Sequence, residues 1–165
     1  MKKIYAPWRE GYINKAVKKT NEQRMKAKCV FCEQLEQNND DENFILKRYE
    51  HTFIIFNRYP YNGGHLMALP LAHKGTLDEL TKEERSELIE SVNLCVENLK
   101  KALNPQGFNI GLNMGKAGGG GIPSHLHFHV LPRWEGDTSF VPLLSDTKPV
   151  SVDLTKLFKD LKKLF

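Results

Sequence analysis

His125-Leu126-His127-Phe128-His129-Val130-Leu131-Pro132 is the run on which the reading of this chain turns. Polar and apolar residues alternate through it. Period two is the pattern of a β-strand, with the three imidazoles on one face and Leu126, Phe128 and Val130 on the other. Packing alone gives no reason to build a row of imidazoles. Histidine can change charge near neutral pH and can serve as nucleophile, acid, base or metal ligand. Side chains two apart on a strand are separated by about 6.5 Å, so His125 and His129 stand about 13 Å apart along the backbone. The ligands of one metal ion all lie about 2 Å from it, so these three cannot share a single ion. At most an adjacent pair can, and the row must divide its labour.

Immediately upstream lies Asn113-Met114-Gly115-Lys116-Ala117-Gly118-Gly119-Gly120-Gly121-Ile122-Pro123-Ser124. Glycines let backbone N–H groups approach a ligand and form a concavity for anions. Lys116 and the Asn113 amide add donors. Set against the histidines, the loop reads as a phosphate cradle.

Working outward, Phe44–Lys47, Thr52–Phe56, His65–Leu69 and Phe108–Asn113 are rich in β-branched and aromatic residues and read as further strands. Pro70 ends the third. Asn57 to Gly64 is dense in turn residues. Residues 33–43 read as a polar connector. Thr81-Lys82-Glu83-Glu84 has capping-box spacing, and Leu88, Val92, Cys95, Leu99 and Leu103 then recur at helical intervals up to Asn104-Pro105. Residues 152–165 carry a second amphipathic pattern through Leu154, Leu157, Phe158, Leu161 and Leu164. Short, closely spaced strands with one long helix imply an α+β fold around an antiparallel sheet. In the basic segment 1–28, Trp8 and Tyr12 are available to dock on the body.

The chain has 165 residues, 40% hydrophobic and 27% charged, which is enough for one domain with a core. The net charge of +4 suits a small anionic substrate and does not call for nucleic acid. No apolar run has membrane-spanning length and Met1 to Pro7 lacks a signal-peptide stretch, so a cytoplasmic protein is expected. Three cysteines without a secretion signal argue against a disulfide framework. Cys95 belongs to the helix stripe. Cys29-Val30-Phe31-Cys32 reads as half a zinc site or a redox pair.

The histidine run resembles the histidine triad of the HIT superfamily of nucleotidyl hydrolases and transferases. Phe56 to Leu66 is similar to that family's ribose-binding turn and the strand after it, and Asn113-Met114-Gly115 to its phosphate-side amide. The flanks Ala6-Pro7-Trp8-Arg9 and Pro132 to Phe140 resemble a bacterial subgroup of diadenosine tetraphosphate phosphorylases and ATP adenylyltransferases. The resemblance spans nearly the whole chain. It implies a single HIT domain: a sheet of about five strands, a long helix after the third, a C-terminal helix, an N-terminal extension over 1–28 and a tail from 134. It also implies a homodimer.

Carried over position by position, the resemblance makes His127 the nucleophile toward the α-phosphorus of an adenosine polyphosphate such as diadenosine tetraphosphate. His127's other ring nitrogen would then donate to a main-chain carbonyl. His129 contacts the phosphate oxygens at the scissile bond. Asn113, Gly120 and Gly121 hold the α-phosphate, Asn57 the ribose hydroxyls, and Phe31 and Ile55 flank the base. A structural Zn2+ is implied on Cys29, Cys32, His73 and His125, and His65 supports the triad. The four-glycine run is one residue longer than in better-known branches, which leaves the loop contacts open by one position. Inorganic phosphate as acceptor makes a phosphorylase, and water makes a hydrolase. Two other readings are a hydrolase with an open metal site on His125 and His127, and a non-enzymatic nucleotide-binding zinc protein.

Overall fold

The computed structural model describes residues 29–138, 150 and 152–165. The expectations for segment 1–28, Trp8 and Tyr12 included, and for residues 139–149 fall outside them. The described residues run α1 (Val30–Glu36), β1 (Ile45–Arg48), β2 (Thr52–Phe56), β3 (Leu66–Pro70), α2 (Lys82–Leu103), β4 (Gly107–Leu112), β5 (Phe128–Arg133) and α3 (Leu154–Lys162). The strands form one five-stranded sheet in the order β1-β2-β3-β5-β4, antiparallel at every step. This is the expected α+β architecture, with the long helix after the third strand.

The alternation along β2 separates two packing layers. Ile54 and Phe56 face a core with Leu66, Ala68, Leu126 and Val130 on the sheet, Leu88, Val92, Cys95 and Leu99 on α2, and Phe158 and Leu161 on α3. Ile55 and Phe53 face the other way, into a cluster with Ile45, Met67, Leu69 and Phe31 of α1. α2 starts where the capping box predicts: the Glu84 N–H donates to Thr81 Oγ1 at 3.2 Å and the Thr81 N–H to Glu84 Oε2 at 2.7 Å. Asn104 ends it in a left-handed conformation, φ 43°. α3 is shorter than its sequence pattern and is capped by Asp153, which accepts the Lys156 N–H at 3.0 Å.

Three expectations need correction. Part of the expected connector is helical, because Phe31 and Leu35 share one face of α1 and pack into the second cluster. That apolar stripe outweighs the polar residues between and after it. The third strand runs Leu66–Pro70 rather than His65–Leu69, with Pro70 opposite Thr52. Pro70 is tolerated because the β3–β5 ladder stops at Ala68↔Phe128, so no partner there needs its missing N–H. Finally, the histidine strand begins at Phe128, so His125 and His127 precede the ladder. There the chain is held instead by the Leu126 N–H donating to Lys74 O at 2.7 Å. The alternation persists through this segment: Leu126 and Val130 are buried under α2, and the imidazoles occupy the opposite face.

No helix among the described residues is long and apolar enough to cross a membrane. β4 is an edge strand, exposed at Asn109, Ile110 and Gly111.

Candidate active site

His127 sits on the sheet face that carries α1, and is buried. Its Nδ1 lies 2.8 Å from the main-chain carbonyl of His125. A carbonyl only accepts, so Nδ1 carries the proton and Nε2 keeps its lone pair. Burial lowers the His127 pKa, the bond to His125 opposing it in part. The ring is therefore a neutral imidazole at neutral pH. Phe31 stands 5.4 Å from the His127 ring and 5.4 Å from the His125 ring, and His129 lies 4.9 Å from His127 on the next strand position.

A second chain of bonds fixes His129. The Tyr61 main-chain N–H lies 3.2 Å from His65 Nδ1, and an amide N–H can only donate. His65 Nδ1 is thus an acceptor, and the proton of this neutral ring is on Nε2. Nε2 lies 2.8 Å from His129 Nδ1 and donates to it. The His129 proton is then on Nε2, available to an oxygen in the site. The electrostatics agree with this sequence of neutral rings. Burial, then the neighbouring His129 and His127, push His65 down to about 3. Burial, then His127, pushes His129 down to about 4.

The remaining triad member faces elsewhere. His125 is fully buried and its Nε2 donates to Pro70 O at 2.9 Å, the carbonyl freed where the β3–β5 ladder ends. That leaves Nδ1 unprotonated, 3.4 Å from Cys29 Sγ and 3.6 Å from Cys32 Sγ. Cys32 Sγ is 3.3 Å from His73 Nδ1. Cys29, Cys32, His73 and His125 offer four donor atoms within 4.8 Å of one another. In a tetrahedral zinc site with bonds of about 2.3 Å to sulfur and about 2.05 Å to nitrogen, the sulfur–nitrogen edges are about 3.6 Å. The observed spacings fit that tetrahedron. The donor types fit as well, two sulfurs and two imidazole nitrogens; burial, then the adjacent Cys29, push the Cys32 thiol up to about 11, so a metal bound there would have to displace that proton. Two thiolates and two imidazoles would close the coordination shell of a metal ion, as in a structural site. His127 turns its Nδ1 to a carbonyl and is not among these donors. Glu50, His51 and Glu87 also approach within 4.8 Å, but Glu87 Oε1 already accepts the His51 N–H and the Thr52 hydroxyl.

A HIT domain model matches residues 37–136. This chain belongs to the HIT domain family. The AP-4-A phosphorylase of Mycobacterium tuberculosis is 31% identical over 164 residues, 99% of this chain and 82% of that protein. The asymmetrical bis(5'-nucleosyl)-tetraphosphatase of Schizosaccharomyces pombe is 31% identical over 83 residues, 50% of this chain and 45% of that one. Among solved structures, a hypothetical histidine triad nucleotide-binding protein from Sulfolobus tokodaii is 27% identical with a TM-score of 0.66, covering 82% of this chain and 88% of that one.

Within this HIT domain the other expected residues fall unevenly. Asn113 stands one residue past the end of the ladder, where Leu112 pairs with Phe128. Asn57 Oδ1 accepts the Tyr59 N–H at 2.9 Å, and its Nδ2 lies 3.2 Å from His65 Nδ1. One amide hydrogen and one oxygen lone pair remain for a ligand. Gly120 departs from the expectation: its N–H donates to Gly115 O at 3.2 Å and closes the loop on itself. Tightness explains this, since a Cβ at Gly118 would stand 2.4 Å from Met114 O. Gly121 has open space around it. Ile55 is buried and shares the second cluster with Phe31, whose ring packs against His127 and His125.

Two groups escaped the sequence reading. Asp137 binds Arg133 through both carboxylate oxygens, at 2.6 and 2.9 Å, and accepts the Asn62 amide at 2.9 Å. Asn62 also donates to Pro132 O at 3.0 Å. This network ties the turn carrying Asn57, Tyr61 and His65 to the end of β5. The second group is the Tyr61 side chain, which the turn sets beside His65 and His129. No local sequence signal announces either pairing.

Proposed function

We propose that this protein cleaves diadenosine tetraphosphate or a related adenosine polyphosphate through a nucleotidyl-His127 intermediate, with inorganic phosphate as the acceptor. The observation that carries the reading is the fixed protonation of the two site histidines. His127 holds its Nε2 lone pair ready, and His129 holds a proton on Nε2. In the first step the His127 Nε2 lone pair bonds the α-phosphorus, and the bond from that phosphorus to the bridging oxygen breaks. With diadenosine tetraphosphate the leaving group is ATP, and His129 Nε2–H stabilises the charge that develops on the departing oxygen. In the second step a phosphate oxygen bonds the same phosphorus, the phosphorus–nitrogen bond breaks, and ADP is released. Asn113 and the Gly121 amide are the donors this reading assigns to the α-phosphate, and Asn57 contacts the ribose. Phe31 and Ile55 flank the base.

The similarity to the AP-4-A phosphorylase over nearly the full chain favours phosphate over water as acceptor. The zinc belongs to the same proposal as a structural ion held by Cys29, Cys32, His73 and His125, and no chemical step uses it. So does the homodimer, with the exposed edge of β4 available to a second copy; a monomeric mass in solution would remove it.

The assay is incubation with diadenosine tetraphosphate, with and without inorganic phosphate, followed by product analysis. ADP and ATP formed only with phosphate is the expected result. AMP and ATP in water alone would make the enzyme a hydrolase. Absence of turnover together with absence of an adenylyl adduct on His127 would overturn the enzymatic reading.

Acid should destabilise the fold. An unfolded histidine takes up its proton near 6.5, whereas His129 and His65 resist it down to about 4 and about 3. Between those limits the unfolded chain binds more protons than the folded one, so stability rises with pH there. It is complete above about pH 6.5 and falls progressively below. Urea midpoints at pH 7 and pH 5 measure this. The wild type should lose midpoint in acid, and His129→Gln should lose less; identical slopes in the two proteins would rule out the contribution of His129.

A further inference from the structure

We infer that the Tyr61 ring is the docking face for the nucleobase of the leaving nucleotide, a subsite distinct from the one that holds the transferred nucleotide. The inference rests on the adenosine-polyphosphate reading above. Four side chains are arranged in order along the site face: Phe31, His127, His129 and Tyr61. Phe31 touches His127, His127 touches His129, and Tyr61 lies beyond, 5.8 Å from the His129 ring and 4.8 Å from the His65 ring. The transferred phosphorus is bonded at His127, and the departing oxygen is met by the proton on His129. A polyphosphate that continues in that direction leads to Tyr61.

The two aromatic residues differ in what they can do. Phe31 is 5% exposed and packed edge-on against His125 and into the lower cluster, so it is a wall. Tyr61 is 61% exposed, which is unusual for an aromatic side chain that also touches the buried imidazole of His65 and the half-buried one of His129. One face is held by the histidines and the other is open. The Asn62–Asp137–Arg133 network fixes the turn beneath it, so the ring is presented rather than loose. A planar apolar group of low intrinsic specificity is the ligand for such a surface, because every nucleobase has a π-face. The adjacent imidazoles are neutral and add no charge that would favour an anion there. The ring is thus matched to the terminal base of a dinucleoside polyphosphate and not to its phosphates.

A matched pair of substrates separates this role from any effect on the histidines. Diadenosine tetraphosphate and adenosine 5'-tetraphosphate transfer the same adenylyl group, but only the first has a leaving group that ends in a nucleoside. Tyr61→Ala should lower kcat/KM for diadenosine tetraphosphate by about tenfold, the scale of one lost base–aromatic stack. Adenosine 5'-tetraphosphate should change by less than about twofold, and Tyr61→Phe should retain the preference for the dinucleotide. The main-chain N–H that orients His65 is present in all three proteins, so the proton arrangement survives the substitutions. Equal losses on both substrates would overturn the inference and make Tyr61 a support for His129. An undiminished rate on the dinucleotide would overturn it too. If the wild type neither turns over these substrates nor forms an adduct, the functional reading itself fails, and the subsite with it.

Discussion

Replacing His127 with alanine is expected to lower turnover of adenosine polyphosphates by about ten-thousand-fold, the scale on which covalent enzymes lose their nucleophile. Among the described residues no neighbouring group can take over. His125 has one ring nitrogen on Pro70 O and the other against the thiols, and His129 accepts the His65 proton on Nδ1 and presents N–H, not a lone pair, to the site. His65 is fully buried behind His129. Only His127 combines a free Nε2 lone pair with a pKa low enough for that lone pair to be available at neutral pH. The variant should still bind nucleotide, because the residues assigned to phosphate, ribose and base remain. Acid-labile label from an α-phosphate-labelled substrate, trapped by alkaline quench, should appear on the wild type and be absent from His127→Ala. Retention of more than about a hundredth of the rate, or of the label, would assign the nucleophile elsewhere.

How much of this was legible in the sequence depends on whether a feature is local. The alternation of His125, His127 and His129 with Leu126, Phe128 and Val130 is a local property, and the side chains take the opposite faces it demands even where the ladder has not begun. The capping box at Thr81 and the stripe through Leu88, Val92, Cys95 and Leu99 are local too, and α2 follows them. The start of β5 was not legible, because it is set by where its ladders with β3 and β4 end, opposite Ala68 and Leu112, positions distant in the sequence. Helix α1 was hidden for a related reason: a seven-residue helix of about two turns, with Phe31 and Leu35 as its core contacts, looks polar until its partners on the sheet are known. The glycine loop shows a third limit. Composition marks it as able to approach an anion, but which amides are free depends on how the loop closes, and Gly120 is consumed in closing it. Proton positions on the histidines were the least accessible. The one on His129 is set by the Tyr61 main-chain N–H acting through His65, and only the folded turn brings those three together.

The four-ligand cluster ties stability to the same site, and Cys32→Ser is expected to lower Tm by about 10 °C or more. Structural zinc in small sites contributes on the order of 10 kcal/mol, and for a domain of this size each kcal/mol moves Tm by about 2–4 °C. The loss passes through named contacts. Cys29 and Cys32 bracket the start of α1, and the metal would join them to His73 past the end of β3 and to His125 ahead of β5. Without that joint, α1 keeps the packing of Phe31 and Leu35 and the bonds from Asn43 to Gln34 O and from Arg48 to Leu35 O, and Phe31 packs against His125 and His127. His125 belongs to both systems: its ring is one of the four donors that would hold the metal, and its carbonyl accepts the His127 N–H. Disturbing the ring therefore disturbs the tautomer of the nucleophile, and activity should fall in proportion to the fraction of protein without metal. Metal analysis should return one zinc per chain for the wild type and far less for Cys32→Ser. Thermal melts with and without a chelator should bring the wild type down to the variant's Tm, while leaving the variant itself unmoved. A wild-type Tm indifferent to chelation, in protein shown to have lost its metal, would remove the ion from the fold. Cys29 and Cys32 would then be reduced thiols packed against two imidazoles.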